Sequence, residues 1–532
     1  MRKYFLKTSA LVLTGSLLLS MTACSGSKEN GSKDGNASAA NSGPAVELKV
    51  EVFDRGTQGQ APVDNNYWTN WIQENFGKPN NINVKFIPVP RAQDVDKLNL
   101  MMAANEAPDI VLTYDTSVVN NYATQGGITD LKDNIDKYGP NLKKFLGDDV
   151  LKAGVFSGKQ YTIPAKRALV GIQLSLIRKD WLDKLGLKAP TTTEQFYSTL
   201  KAFKEKDPGG LGGAVIPYGA TIGSAGSAYE ALPNTSFNAL IDSFRTKMTE
   251  EEFYTLPSFV QPGIKDGFKF MNKIFNEGLM SPEFALDKDG KKKEADVANG
   301  KVGIWDGNLN GSLLPSPGTA SALLKNVPGA AIDAIDSYTD YEGKHPQLTY
   351  PSTGVYIMVP KASKRANEAI KYLDWMSKQD VLFTLQNGME GIHYNLKDGM
   401  PVAINVQGDN KLGFSSNIDY TIITNGMQYG SLDKNIKYQA SVNVGFEDLY
   451  TKAYKYSIQD GYTAPRFDKP IASDLKYNKT LAQKALEITV KSITCKPSEF
   501  DKTYDSLVQE YMQNGGQEIV NEKKAAYQAM KK

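Results

Sequence analysis

Val46-Glu47-Leu48-Lys49-Val50-Glu51-Val52 opens the stretch that decides the fold. Apolar and charged residues alternate with period two, which predicts a strand with one face in a core. Outward from it the period changes. Tyr67 to Phe76 reads as a helix closed by Gly77 and Pro79. Ile82 to Val89 alternates again, and Val95, Leu98 and Met102 then fall at helical spacing. Pro108-Asp109 leads into a third apolar run, Ile110-Val111-Leu112. A β-α-β-α-β order over residues 46–112 predicts a largely parallel α/β sheet, in which ligands gather at the carboxyl ends of the strands.

The alternation of short apolar runs and helical patterns continues to the end of the chain. Ala366, Ala369, Ile370, Leu373 and Met376 form a helical stripe. Ser498 and Asp501 stand at capping-box spacing. Phe500, Tyr504, Leu507 and Tyr511 then line one face before Gly515-Gly516 breaks the helix. No repeat of fixed period and no heptad pattern is present.

At the other end, Arg2, Lys3 and Lys7 precede an apolar run from Ala10 to Leu19, too short for the roughly 20 residues of a membrane span. It reads as an export signal. Met21-Thr22-Ala23-Cys24 resembles the bacterial lipobox, with Met21 where leucine is more usual. The resemblance implies that residues 1–23 are removed and Cys24 is lipidated, holding the protein at the extracellular face of the cell membrane. An ordinary signal with a chance cysteine is the competing reading. Ser25 to Pro44 is Gly, Ser, Asn, Ala and Lys with almost nothing apolar, so residues 24–45 are expected to be a flexible tether reaching about 25 Å.

Removing 23 of 532 residues leaves 509, enough for two lobes with cores of their own. The signal holds three of the 61 basic residues, leaving 58 against 59 acidic ones, a formal −1. That balance gives no reason to expect a nucleic acid. Cys24 and Cys495 are the two cysteines, so lipidation of the first precludes an internal disulfide, and Cys495 is expected as a small packing residue. His345 and His393 are the two histidines, which argues against His-based zinc sites and catalytic triads. No Walker A sequence, GxSxG elbow or HExxH motif occurs, and "GSAGSA" at 223–228 lacks the Lys-Ser/Thr of a phosphate loop. Neither catalysis nor a cofactor is expected, although paired carboxylates for a glycosidase are not singled out or ruled out by sequence.

Several blocks together resemble the family 1 extracellular solute-binding proteins, the receptors of bacterial ABC sugar importers. They are "APDIVLTYD" at 107–115, "GKQYTIPAKRALVGIQLSLIRKDWLDKLGLKAPTTTEQF" at 158–196, "NEGLMSPEFA" at 276–285, "NGKVGIWDGNLNG" at 299–311 and "GVYIMVPKASKRANEAIKYLDWM" at 354–376. "EFDKTYDSLVQEYMQNGGQEIVNEKKAAYQ" at 499–528 resembles the C-terminal helices of a Gram-positive, oligosaccharide-binding branch. The resemblance implies two α/β lobes of the type II periplasmic-binding-protein architecture, hinged near Ile163-Pro164 and Gly354-Val355. The first lobe would be 46–164 plus 355–400 and the second 165–354 plus 401–532. It further implies a monomeric receptor delivering a plant or algal oligosaccharide to permease subunits of an ABC importer. A surface-anchored polysaccharide-degrading enzyme and a sensor or adhesion lipoprotein are the alternatives. Relatives often carry a calcium loop after a helix like 196–206. Here Asp207-Pro208-Gly209-Gly210-Leu211 keeps one carboxylate of that loop, so no bound metal is expected.

Ligand contacts are sought past strand ends: Asp54 and Arg55, Tyr114 and Asp115, with Trp68 at the start of a helix. Lys166 and Arg167 stand at the first hinge crossing and Tyr350 just before the return. Trp305 and Asp306 lie between Gly303 and Gly307, a setting read as a loop. Glu390 and His393 fall in "GMEGIHY", His393 being weighed also as a hydrogen-bonded structural residue. Trp71, Trp181 and Trp375 sit inside helical patterns and are expected in packing.

Overall fold

A computed structural model describes residues 43–56, 61–223, 237–309, 311–315, 318–397, 399–404, 419–467 and 469–531. The export signal, Cys24 and residues 224–228 of the small-residue loop lie outside them, as does the tether up to residue 42. The period-two run forms strand β1 (Val46–Asp54), whose Leu48, Val50 and Val52 enter the core. β2 (Ile82–Pro90) pairs with it in parallel, and β3 (Val111–Thr113) joins its other edge through Glu51 N–H to the Ile110 carbonyl, 2.9 Å. Between them Asn66 caps a helix, Tyr67–Ile72, through a capping box with Thr69, and Asp94–Ala104 is the second expected helix.

The strands of residues 46–112 are parallel as expected, and later segments make the sheet mixed. The strand Thr353–Met358 runs antiparallel to β3 on one side and to Ile163–Arg167 on the other, and Thr424–Asn425 closes the far edge in parallel with Ile163–Arg167. The chain comes back from the second lobe pointing the opposite way, so its return strand reverses the direction. Tyr420, Ile422 and Ile423 pack in the same core as Val50, Ile163 and Ile357. Residues 420–425 thus pack and pair with the first sheet, beyond residue 400.

The second lobe is built on a four-stranded sheet in the order Ile332–Ile335, Gln173–Arg178, Val302–Asn308, Ile216–Gly219. One face carries Phe196, Phe203, Phe268 and, from the C-terminal helices, Leu481, Phe500, Tyr504 and Tyr511. The other carries Leu174, Trp305, Leu323, Tyr450 and Tyr454. The predicted helices at 366–376 and 500–511 form, and the second ends where Gly515 takes φ 119° against the Tyr477 ring. The Ser498–Asp501 capping box does not. A 3-10 turn, Pro497–Glu499, runs into the helix, and Asp501 instead takes Lys269 at 3.0 Å.

Glu51 breaks the alternation that predicted β1. It faces away from Leu48 and Val50, on the side where Glu47 and Lys49 are exposed, but is fully buried because the later part of the strand is covered on both faces. One carboxyl oxygen accepts Leu112 N–H at 3.1 Å and the other has no hydrogen-bond partner among the described residues. Burial pushes this carboxyl up from 4.5 to about 8, against the Leu112 hydrogen bond that pulls it down. The folded state thus favours the protonated form. The stability this group contributes is full below pH 4.5 and is lost as pH rises towards 8. Glu51→Gln should leave stability nearly unchanged at pH 4.5 and raise it progressively relative to the parent up to pH 8, read by denaturant unfolding at each pH. A difference that does not vary with pH would refute this.

Candidate functional site

The carboxyl ends of β1, β2 and β3 lie side by side, and each is followed at once by a polar or aromatic residue. After β1, Arg55 forms a two-pronged ion pair with Asp419, Nε and Nη2 each 2.7 Å from an oxygen. Asp419 holds the Arg55 guanidinium above its ordinary value. After β2, Arg91 lies over the rings of Phe53 and Tyr114, 4.7 and 4.6 Å from their centres, and gives Nη1 to Asp94 at 2.9 Å. After β3, Tyr114 keeps 36% of its surface exposed. Its ring is stacked on Phe53 at 6.4 Å, and its hydroxyl accepts Asn425 Nδ2 at 2.7 Å.

Asn425 carries the cluster to the hinge. Its side-chain oxygen accepts Arg167 Nη1 at 2.6 Å, while Arg167 Nε donates to the carbonyls of Pro351 and Thr353. The same guanidinium lies 4.3 Å over the Tyr350 ring. Gly354 is required at this point, since a Cβ there would stand 2.4 Å from that of Asn425. Burial pulls Arg167 below its ordinary value. Burial also raises the Tyr114 hydroxyl, against Arg91, Arg167 and Arg55, which pull it down.

Of the residues expected to contact ligand, Asp54, Arg55, Tyr114, Arg167 and Tyr350 fall within this cluster or beside it. The Asp54 carboxylate is turned to Gly56 N–H at 2.9 Å. Asp115 adjoins Tyr114, but its carboxylate caps the helix Thr116–Thr124 through Ser117 and Val118 N–H. Lys166 sends its ammonium to the Phe145 carbonyl, 3.1 Å away.

Four candidates are buried away from the cluster's exposed surface. Trp68 packs in the first core. His393 is buried, takes Met389 N–H on Nδ1 at 2.8 Å and sets its ring edge-on to Tyr67, the structural role weighed for it. Trp305 is 1% exposed in a strand. Its neighbour Gly303 is small because the Phe203 ring packs there, within 2.4 Å of where a Cβ would be. Asp306 is buried, receiving the hydroxyls of Ser175 and Tyr218. Glu390 lies in an exposed loop with Met389 and Ile392. A recess of about 290 Å³ between Gly213–Ile216 and Met280–Phe284 is lined by none of the cluster's residues.

Phe53, Arg91, Asp419 and Asn425 are the residues that sequence reasoning missed. Arg91 follows the strand-ending Pro90 just as Tyr114 follows Thr113, so the strand-end rule could have found it. Asn425 sits on the two-residue strand Thr424–Asn425, for which no short pattern gives a signal.

Two α/β lobes, chain crossings between them and a polar-aromatic cluster at strand ends and hinge define a two-lobed ligand receptor. The chain belongs to the family whose model is described as "Bacterial extracellular solute-binding protein", which matches residues 61–381. It is 28% identical over 378 residues to Lipoprotein LipO of Bacillus subtilis (strain 168), covering 69% of this chain and 71% of that protein. It is 30% identical over 324 residues to the polygalacturonan/rhamnogalacturonan-binding protein YtcQ of the same organism, covering 58% of this chain and 60% of YtcQ. Among solved structures, the alginate-binding protein AlgQ2 without calcium ion shares the fold at TM-score 0.63 and 21% identity, covering 92% of this chain and 99% of its own. An HMO-binding solute-binding protein from Bifidobacterium longum infantis shares it at 0.65 and 18%, covering 91% and 98%.

Asp207 ends the helix Thr193–Lys206 in a left-handed conformation and accepts N–H groups of Leu211 and Gly212, each at 2.8 Å. These donors occupy oxygens that a cation would need, and calcium asks for six to eight. Excess calcium should leave the melting temperature of the protein unchanged, followed by differential scanning fluorimetry with a chelator control. A rise of several degrees would identify a site at odds with this turn.

Proposed function

We propose that the protein is an extracellular receptor, anchored through lipidated Cys24, that captures an oligosaccharide between its lobes and hands it to an ABC importer. The observation that carries this reading is the chain of contacts from Arg91 and Tyr114, through Asn425, to Arg167 and Tyr350. It puts a half-exposed aromatic ring and several N–H donors at strand ends, and it runs from the first sheet to the lobe junction. Sugars are held by such pairings of aromatic faces with directed hydrogen bonds. A ligand seated there touches groups whose relative position depends on the hinge, so it favours whichever lobe arrangement completes its contacts.

Relatives described as binding polygalacturonan or rhamnogalacturonan, or as a fructooligosaccharide ABC transporter substrate-binding protein, support the oligosaccharide and the importer. Plant or algal polysaccharide fragments are the ligands we favour. The lipoprotein LipO supports the anchor. Lobe boundaries near residues 167, 353 and 425 follow the two cores and the three crossings.

Titration with a library of plant and algal oligosaccharides should raise the melting temperature stoichiometrically and reversibly, with the sugar recovered intact by chromatography. Recovery of cleaved product would sink the receptor in favour of a polysaccharide-degrading enzyme. Separately, Cys24→Ala should release the protein into the medium with unchanged affinity and lower oligosaccharide uptake by the cells. Retention on the membrane would remove the anchor from the proposal.

A further inference from the structure

The arginines around Tyr114 hold more donors than the protein uses. A guanidinium has five N–H groups in a fixed plane. Arg55 gives Nε and Nη2 to Asp419, and no described residue accepts from its Nη1. Arg91 gives Nη1 to Asp94, and no described residue accepts from its Nε or Nη2. Arg167 engages Nε and Nη1, and no described residue accepts from its Nη2.

Their charges are answered unequally. Asp419 and Asp94 pair with Arg55 and Arg91. Arg167 makes no ion pair among the described residues; its partners are two peptide carbonyls and the Asn425 amide. The nearby carboxylates of Asp54 and Asp115 are turned to backbone N–H groups. The ammonium of Lys166 is turned to Phe145. A half-buried guanidinium facing neutral acceptors is costly, since desolvation disfavours the charge and, among the described residues, only those acceptors and the Tyr350 ring offset it, with no carboxylate. Such a cation is explained if its counter-charge arrives with the ligand. Planar N–H edges match a carboxylate in two-pronged fashion better than they match a hydroxyl.

Resting on the receptor reading above, we propose that the bound oligosaccharide carries a carboxylate, as a uronic acid unit does, and that Arg167 and Arg91 take that carboxylate while Tyr114 meets the sugar ring. Asn425, by holding both the Tyr114 hydroxyl and Arg167 Nη1, sets the spacing between ring and charge. Asn425 is therefore a positioning residue, and the two arginines determine specificity.

The test is isothermal titration of the full mature chain with trimers of galacturonate and of mannuronate-guluronate, and with a glucuronate-bearing xylo-oligosaccharide. Each is compared with its carboxyl-reduced counterpart and with neutral oligosaccharides of the same length. At least one acidic probe should bind tenfold or more tightly than its reduced form, and that preference should shrink as salt is raised from 50 to 500 mM. Arg167→Gln should abolish the preference, with the melting temperature checked to establish folding; Arg167→Lys, which keeps charge but loses the planar edge, and Arg91→Gln should each weaken it. If neutral or reduced probes bind as well as acidic ones, the inference falls and the receptor reading stands. If no oligosaccharide of either kind binds, both fall.

Discussion

The site depends on one insertion: the strand Thr353–Met358 enters the first sheet between β3 and Ile163–Arg167 and hydrogen-bonds to both. Ile357 stands opposite Leu112 on one side and Ile163 on the other, with all three buried. A central strand satisfies backbone groups on both edges, so removing it would orphan the donors and acceptors of two neighbours. The register fixes more than the core. It puts Thr353 opposite Lys166, so that Arg167 reaches the Pro351 and Thr353 carbonyls and lies on Tyr350. Slipping the strand by one residue would invert its faces and carry Tyr350 away from the arginine.

The segment that ends at Asn425 adds a constraint of a different kind. Thr424–Asn425 is a two-residue strand, too short to be stable alone, and it is held by its neighbours. Lys166 N–H donates to the Ile423 carbonyl, Ala168 N–H to that of Asn425, and the Thr424 hydroxyl returns a bond to the Lys166 carbonyl. Tyr420 anchors the segment from below by giving its hydroxyl to the Val63 carbonyl. Asp419, next in line, is thereby delivered to Arg55. One short segment thus supplies both the counter-charge for an arginine of β1's end and the amide that links Tyr114 to Arg167.

Much of this was legible in the sequence because periodicity reports burial. The alternation at 46–52 gives β1, the stripe at 366–376 gives its helix, and a glycine pair marks the end of the helix at 500–511. Strand ends then narrowed the search to Asp54, Arg55 and Tyr114. The misreadings share a physical cause. Gly303 and Gly307 resemble a loop, but glycine also permits close approach, and Phe203 fills the space that a Cβ would take. A tryptophan beside them is consequently core. Glu51 looked solvent-facing because alternation assumes one wet face, and that face is open at Glu47 and Lys49 but covered at Glu51. Asn425 and Asp419 were illegible since their partners lie hundreds of residues away, beyond any local pattern.

The cluster's electrostatics bear on how binding and closure are coupled. Arg55 and Arg91 pair with Asp419 and Asp94, so under the proposed function a ligand would gain modestly from them whether the lobes are apart or together. Arg167 is different: its ring partner Tyr350 and its carbonyl partner Pro351 belong to the chain as it returns from the second lobe. Any change in hinge geometry therefore alters the surroundings of this one cation, whose burial is already unfavourable to its charge. A counter-charge placed on Arg167, as proposed, would relieve that cost most where water is excluded by both lobes. An uncharged ligand in the same cleft would leave the penalty in place. On the proposed reading, charge in the ligand and closure of the hinge would be two sides of one free-energy term, because only a ligand that binds one lobe arrangement better than another can shift the balance between them.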